Sequence, residues 1–176
     1  MLITLIGYRG SGKSSVAAPL AARLGWEWID ADAEIEARAG MSIRDIFAAE
    51  GEAGFRRRER DTMHDLLGRD DLVIAAGGGA VLDQATRFEM QAAGPVIWLR
   101  APVEMLEQRI AADATTAARR PDLTAGGGRE EIERLLAERE PLYRAVATGT
   151  VDTEGLTVEE IVETVHDALR PLLGNG

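Results

Sequence analysis

The stretch Gly7-Tyr8-Arg9-Gly10-Ser11-Gly12-Lys13-Ser14 matches the phosphate-loop pattern G-x-x-x-x-G-K-[ST] at every defined position. Such a loop surrounds triphosphate oxygens with backbone N–H groups, so side chains must keep clear of it. Glycines at 7, 10 and 12 permit the tight curl and supply φ values that other residues resist. Lys13 can then reach the terminal phosphates of a nucleotide, and the Ser14 hydroxyl can hold Mg²⁺. Phosphoryl transfer also calls for a carboxylate near that metal, commonly an aspartate closing another strand. Asp30 is the candidate. Asp32, two residues further on, could accept the proton of a substrate hydroxyl or could cap the following helix.

The arginines raise a second question, that of the acceptor. Arg56 follows Phe55 and lies seven and eleven residues before Met63 and Leu67, beside the inward stripe of its predicted helix. A guanidinium there is costly unless an anion meets it, and Glu59, three residues on, is close enough to hold it in place. Arg139 stands in the same relation to Leu136, Leu135 and Ile132. Two half-buried arginines suit a forked clamp on a carboxylate or phosphate, although internal salt bridges would account for either one alone. Arg57, Arg58 and Arg60 read as a solvated face, and His64 and His166 as surface residues without a paired acid or serine. Arg120 lies in a glycine-flanked segment. From there it could swing over a nucleotide as an internal arginine finger, or simply be a loop arginine.

Positioning these groups requires a frame, and the apolar patterning supplies one. Leu2 to Ile6 is a short buried strand, and Val16, Leu20 and Leu24 recur at helical spacing after Lys13 until Gly25 stops the helix. Pro19 should bend that helix or cost it a hydrogen bond. A second strand, Trp26 to Ile29, ends at Asp30-Ala31-Asp32, and a helix follows to Ala39. Helical stretches are predicted over Ser42 to Glu50 and Phe55 to Leu67, then a third strand, Leu72 to Ala76, running into Gly77-Gly78-Gly79. A helix from Asp83 to Ala93, a strand from Val96 to Leu99 and a helix opening after Pro102 come next. Periodicity lapses from Ala112 to Gly128, returns in a helix from Glu130 to Arg139, and gives a last strand near Thr150 to Asp152. Thr157-Val158-Glu159-Glu160 is a capping box for a final amphipathic helix. Alternating strands and helices predict an α/β parallel sheet covered on both faces, with ligands at the carboxyl ends of its strands. The phosphate loop, the Asp30/Asp32 pair and the triple glycine all fall at such ends.

Composition narrows the function further. A chain of 176 residues with 45% hydrophobic content is one ordinary globular domain. It contains no cysteine, so thiolate metal sites and disulfides are excluded. A formal net charge of −10 speaks against nucleic acid or an anionic membrane as partner. No apolar run approaches a membrane span and no signal-peptide pattern opens the chain, so the cytosol is the expected compartment.

Over nearly its whole length the sequence resembles the shikimate kinases. The resemblance rests on the phosphate loop, Asp30-Ala31-Asp32, Ser42 to Phe47 with Gly51-Glu52 and Phe55-Arg56, and the triple glycine with Ala80-Val81. It continues through Arg120-Pro121 and Arg139-Glu140-Pro141-Leu142-Tyr143. It implies a single P-loop domain over residues 1–176 of nucleoside-monophosphate-kinase type. That domain would have a five-stranded parallel sheet and a mobile lid near 112–128, and would work as a monomer. It implies ATP as co-substrate, with Gly10, Ser11, Gly12, Lys13, Ser14, Ser15, Arg109 and Arg120 contacting it, and Mg²⁺ at Ser14 and Asp30. Asp32, Arg56, Gly78 and Arg139 would bind shikimate, with Lys13, Asp32 and Arg120 catalytic. Where the family's lid usually reads R-P-L-L, this chain has Arg120-Pro121-Asp122-Leu123, and the usual proline after Val151-Asp152-Thr153 is missing. A gluconate or aminoshikimate kinase, or an ATP-binding homologue without catalysis, are the alternatives. A guanine-reading N-K-x-D motif is impossible, because the sole asparagine is Asn175.

Overall fold

The computed structural model describes residues 1–113 and 128–173. Its centre is β1 (Leu2–Ile6), buried on both faces, as its unbroken apolar run requires of a central parallel strand. The other strands are β2 (Glu27–Asp30), β3 (Leu72–Ala75), β4 (Val96–Arg100) and β5 (Gly149–Asp152). The sheet runs β2-β3-β1-β4-β5, and every paired neighbour is parallel. Neighbouring strands β1 and β3 lead into helices on opposite faces, which opens a crevice at their carboxyl ends.

Helices α1 (Lys13–Leu24) and α7 (Val158–Leu173) cover one face. There Val16, Leu20, Val165 and Leu169 pack against Ile3, Leu5, Val73 and Leu99. The other face is covered by α3 (Ile43–Leu67), α4 (Gln84–Ala93) and α6 (Gly128–Val146), whose Met63, Leu66, Met90, Tyr143 and Val146 meet Leu2, Ile6, Ile74 and Trp98. Helix α2 (Ala31–Ala39) packs Ile35 against Ile43, Ile46 and Phe55 of α3. Helix α5 (Val103–Ala112) contributes Leu106 to a smaller cluster with Tyr8, Ile132 and Leu135.

Two helices extend beyond the sequence expectation. The two helical stretches expected before Leu67 are joined into α3, kinked at Gly51, whose φ of 69° and ψ of −177° are open to glycine. Helix α6 continues through Pro141 to Val146 instead of ending at Arg139. One missing N–H is outweighed there by the burial of Tyr143 and Val146 in the core. Pro19 sits within an unbroken α1, at an exposed position, so its cost is the expected hydrogen bond to the Ser15 carbonyl. The segment expected to form the lid, Arg120 included, falls mainly on residues 114–127 and lies outside the described residues.

Candidate active site

The phosphate loop leaves β1 and ends at the amino terminus of α1, so its N–H groups and the helix dipole face one point. Gly7 makes this turn with a φ of 145°, and a Cβ there would lie 2.5 Å from the Leu99 carbonyl oxygen, a contact no side chain tolerates. Lys13 curls over its own loop, its Nζ donating to the carbonyls of Gly7 at 2.8 Å and Tyr8 at 2.9 Å. Arg109 of α5 donates from Nη1 to the Gly10 carbonyl at 3.2 Å, so it lies against the loop from the β4 side.

At the end of β2, the Ser14 hydroxyl donates to Asp30 Oδ2. The other Asp30 oxygen accepts from the backbone N–H of Asp32 at 3.0 Å and of Ala33 at 3.2 Å. Asp30 is therefore the N-cap of α2. Asp32 does not cap it; it stands in the first turn and lines the cleft. The serine hydroxyl and the carboxylate form a pair of hard oxygens that suits Mg²⁺, an ion that takes one or two protein ligands and completes its shell with water and phosphate. No group of three His, Asp or Glu side chains among the described residues could hold a metal by itself.

The cleft above these residues measures about 540 Å³ and is lined by the loop, Asp30, Asp32, Gly77, Gly78, Arg109 and Leu156. Gly77 and Gly78 belong to the triple glycine that follows β3, whose third member, Gly79, lies outside this lining together with Arg56 and Arg139. Gly77, Gly78 and Gly79 are buried, and their N–H groups make no hydrogen bond to the described residues. Arg56 of α3 lies over Gly79 so closely that a Cβ there would sit 2.3 Å from Arg56 Nη1. Arg139 of α6 lies by the preceding glycine, with its Nη1 3.6 Å from where a Gly78 Cβ would be. The two guanidinium groups, separate in sequence, thus meet at one short run of free N–H groups.

Their surroundings differ. Arg56 is held by the buried Glu59 at 2.6 Å and, more loosely, by Glu52 at 3.4 Å, with its guanidinium 5.3 Å from the centre of the Phe55 ring. Arg139 is only 5% exposed, and its guanidinium rests 5.8 Å from the centre of the Tyr8 ring. Its Nε has no hydrogen-bond partner, and no carboxylate among the described residues pairs with it. The internal salt bridge holds for Arg56. It does not hold for Arg139.

Other expectations change. Arg58 and Arg60 are not simply solvated: Arg58 pairs with Glu50 at 2.7 Å, and Arg60 forks onto Glu89 at 2.5 and 2.6 Å. That fork, with His64 alongside, holds the Glu89 carboxyl below its ordinary range. His64 is exposed as expected, whereas His166 is half-buried. Sequence reasoning gave no role to Arg9 or Asp113, which line the cleft, nor to the Tyr143 hydroxyl, which donates to the Gly78 carbonyl at 2.6 Å. Arg9 occupies a free position of the loop pattern, so no motif marks it.

A phosphate loop at the central strand of this sheet, an acidic pair beside it and two arginines at a glycine run define a P-loop kinase. The model of the family described as shikimate kinase matches residues 9–170. A shikimate kinase of Halorhodospira halophila is 45% identical over 96% of this chain and 93% of its own length. That of Francisella philomiragia is 43% identical over 95% and 93%. The solved structure of the Acinetobacter baumannii shikimate kinase in complex with shikimate superposes with a TM-score of 0.90 at 37% identity, covering 96% of this chain and 92% of that one. The chain belongs to the shikimate kinase family. A gluconokinase from Sinorhizobium meliloti shares the fold alone, at 19% identity and a TM-score of 0.62.

Proposed function

We propose that this protein transfers the γ-phosphoryl group of ATP to a hydroxyl of shikimate, giving shikimate 3-phosphate and ADP. The observation that carries this reading is the buried Arg139, without a carboxylate partner among the described residues, lying with Arg56 against the triple glycine. A buried guanidinium without a counter-charge is a large cost unless a ligand brings one. A small carboxylic acid does so, and its ring hydroxyls then extend toward Asp32 and the phosphate loop.

In this reading the loop amides and the α1 amino terminus bind the β- and γ-phosphates, and Lys13 leaves the Gly7 and Tyr8 carbonyls to meet them. Gly10, Gly12 and Ser15 complete the ATP contacts, with Arg109 beside the adenine. Arg56 and Arg139 fork onto the shikimate carboxylate, Gly78 supplies an N–H, and Asp32 orients the attacking hydroxyl and takes its proton. Mg²⁺ held at Ser14 and Asp30 would neutralise charge developing on the phosphate oxygens. Arg120 is assigned to the same charge from the segment outside the described residues, and Arg120→Ala should lower kcat by about 10³-fold or more. We place the enzyme in the cytosol as a monomer; no described helix is long and apolar enough to cross a membrane.

A coupled ADP-release assay with shikimate, gluconate and an aminated shikimate analogue tests the proposal. Turnover dependent on shikimate supports it, preference for another acceptor replaces it, and no turnover with any of them points to a nucleotide-binding homologue without catalysis.

A further inference from the structure

The proposed clamp depends on a piece of backbone that has no side chain of its own to fix it. Gly77-Gly78-Gly79 must present its N–H groups in one direction, yet glycine peptides are the freest in the chain to rotate. Two neighbouring bonds restrain the ends of the run: the Ala80 N–H donates to the Gly77 carbonyl at 3.0 Å and the Leu82 N–H to the Gly79 carbonyl at 3.0 Å. The middle peptide, between Gly78 and Gly79, has no backbone partner for its carbonyl among the described residues. It is held instead by the Tyr143 hydroxyl, 2.6 Å from the Gly78 oxygen.

Tyr143 is an unusual provider of that bond. It is fully buried, wedged against Trp98 of β4 with ring centres 5.7 Å apart, and it sits one helical turn after Arg139 on α6. The same face of one helix therefore carries the guanidinium that lies beside Gly78 and the hydroxyl that grips its carbonyl. In a trans peptide the carbonyl and the following N–H point in opposite directions. Drawing the Gly78 oxygen toward α6 consequently turns the Gly79 N–H away from that helix, at the residue against which Arg56 lies.

We infer that Tyr143 is a positioning residue for the acceptor substrate. Its hydroxyl locks the Gly78–Gly79 peptide in the orientation that completes the anion-binding floor between Arg56 and Arg139. It touches neither substrate; it acts through the peptide and through its fixed spacing from Arg139. A tyrosine that merely fills the core would need its ring but not this bond.

The inference rests on the reading of shikimate as acceptor, and the test separates the two. Wild-type turnover with shikimate is established first; its absence would remove the functional reading without touching the bond to Gly78. Tyr143→Phe then keeps the ring against Trp98 and deletes only the hydroxyl. The expected result is a shikimate KM raised by about tenfold or more, corresponding to about 1.4 kcal/mol, with the ATP KM and the kcat at saturation within about twofold. Tyr143→Leu, which removes the ring as well, should show the same KM for shikimate and a lower melting temperature. Should Tyr143→Phe melt near the assay temperature, shikimate titrations at 10 °C with saturating ATP keep the fold populated through the other site. An unchanged shikimate KM in Tyr143→Phe, or an equal loss of ATP affinity, overturns the assignment.

Discussion

Arg139→Met separates a residue kept for the fold from one kept for a ligand, because the two roles predict opposite signs. Methionine follows the arginine stem in shape and removes the charge. In the unliganded protein Arg139 is 5% exposed and lacks a carboxylate partner among the described residues. An unpaired buried ion costs several kcal/mol even after relaxation. The Tyr8 face offsets only about 1–2 kcal/mol of this. Without shikimate the variant should therefore be more stable by about 1 kcal/mol or more, raising Tm by about 2–4 °C for a chain of this size. With shikimate the sign reverses. Two charge-assisted hydrogen bonds at about 1.5–3 kcal/mol each are lost, which weakens shikimate binding by about two to four decades while ATP binding stays unchanged. Scanning calorimetry of the free protein and titration calorimetry with each ligand measure both halves. A variant that melts well below the wild type yet keeps its shikimate affinity would show that Arg139 is a structural residue and would refute the clamp.

The other expectations follow from individual contacts. Gly79→Ala places a methyl 2.3 Å from Arg56 Nη1, so the guanidinium must move. The shikimate KM should rise about tenfold or more with the ATP KM unchanged, and steady-state kinetics with each substrate varied would detect a failure. Lys13→Met removes the ammonium now tied to Gly7 and Tyr8, and kcat should fall by about 10³-fold or more; residual turnover near wild type would exclude Lys13 from the chemistry. Asp83, the N-cap of α4, is held below the ordinary aspartate range first by the Thr86 N–H and then, against the opposing effect of burial, by the Thr86 hydroxyl and Arg60. A depressed pKa means that its stabilisation is complete above the unfolded value and is lost as pH falls through the lower, folded one. The deficit of Asp83→Ala, about 1 kcal/mol at pH 7, should therefore persist through pH 5 and vanish only below about pH 4. Melts across that range check the window.

Much of this architecture could be read from residues alone, and the reasons are local. The phosphate loop is legible because backbone amides and glycine conformation fix its spacing, and each strand end was marked by the residue types that follow it. Arg56 and Arg139 were legible as misfits, charges on apolar stripes. What sequence could not supply was their partner. Glu59 is near Arg56 in sequence, but the lack of a carboxylate at Arg139 is a fact about several elements at once. The cap on α2 has the same origin. The sequence offered Asp32 for it, and only the fold shows Asp30 capping the helix with one oxygen while the other accepts from Ser14 of a different helix. Arg9 fills a free position of the loop, and Tyr143 closes a motif that carries the resemblance without saying what its hydroxyl meets.

The two ends of the cleft are held by different kinds of structure, and this decides where specificity can change. The nucleotide end is built from main chain, a loop whose geometry follows from β1 and the start of α1, so substitution of surface side chains leaves its amides in place. The end proposed for the acceptor is assembled from side chains on α3 and α6 around the triple glycine. Helix α6 carries Arg139 and Tyr143 one turn apart, so any shift of that helix moves the guanidinium and the Gly78 peptide together. Their relative geometry is preserved while the distance to Arg56 changes. Selectivity among small carboxylic acids should accordingly respond to residues packing α6 against α4 and β4. The affinity for ATP should respond instead to residues packing α1 against the sheet.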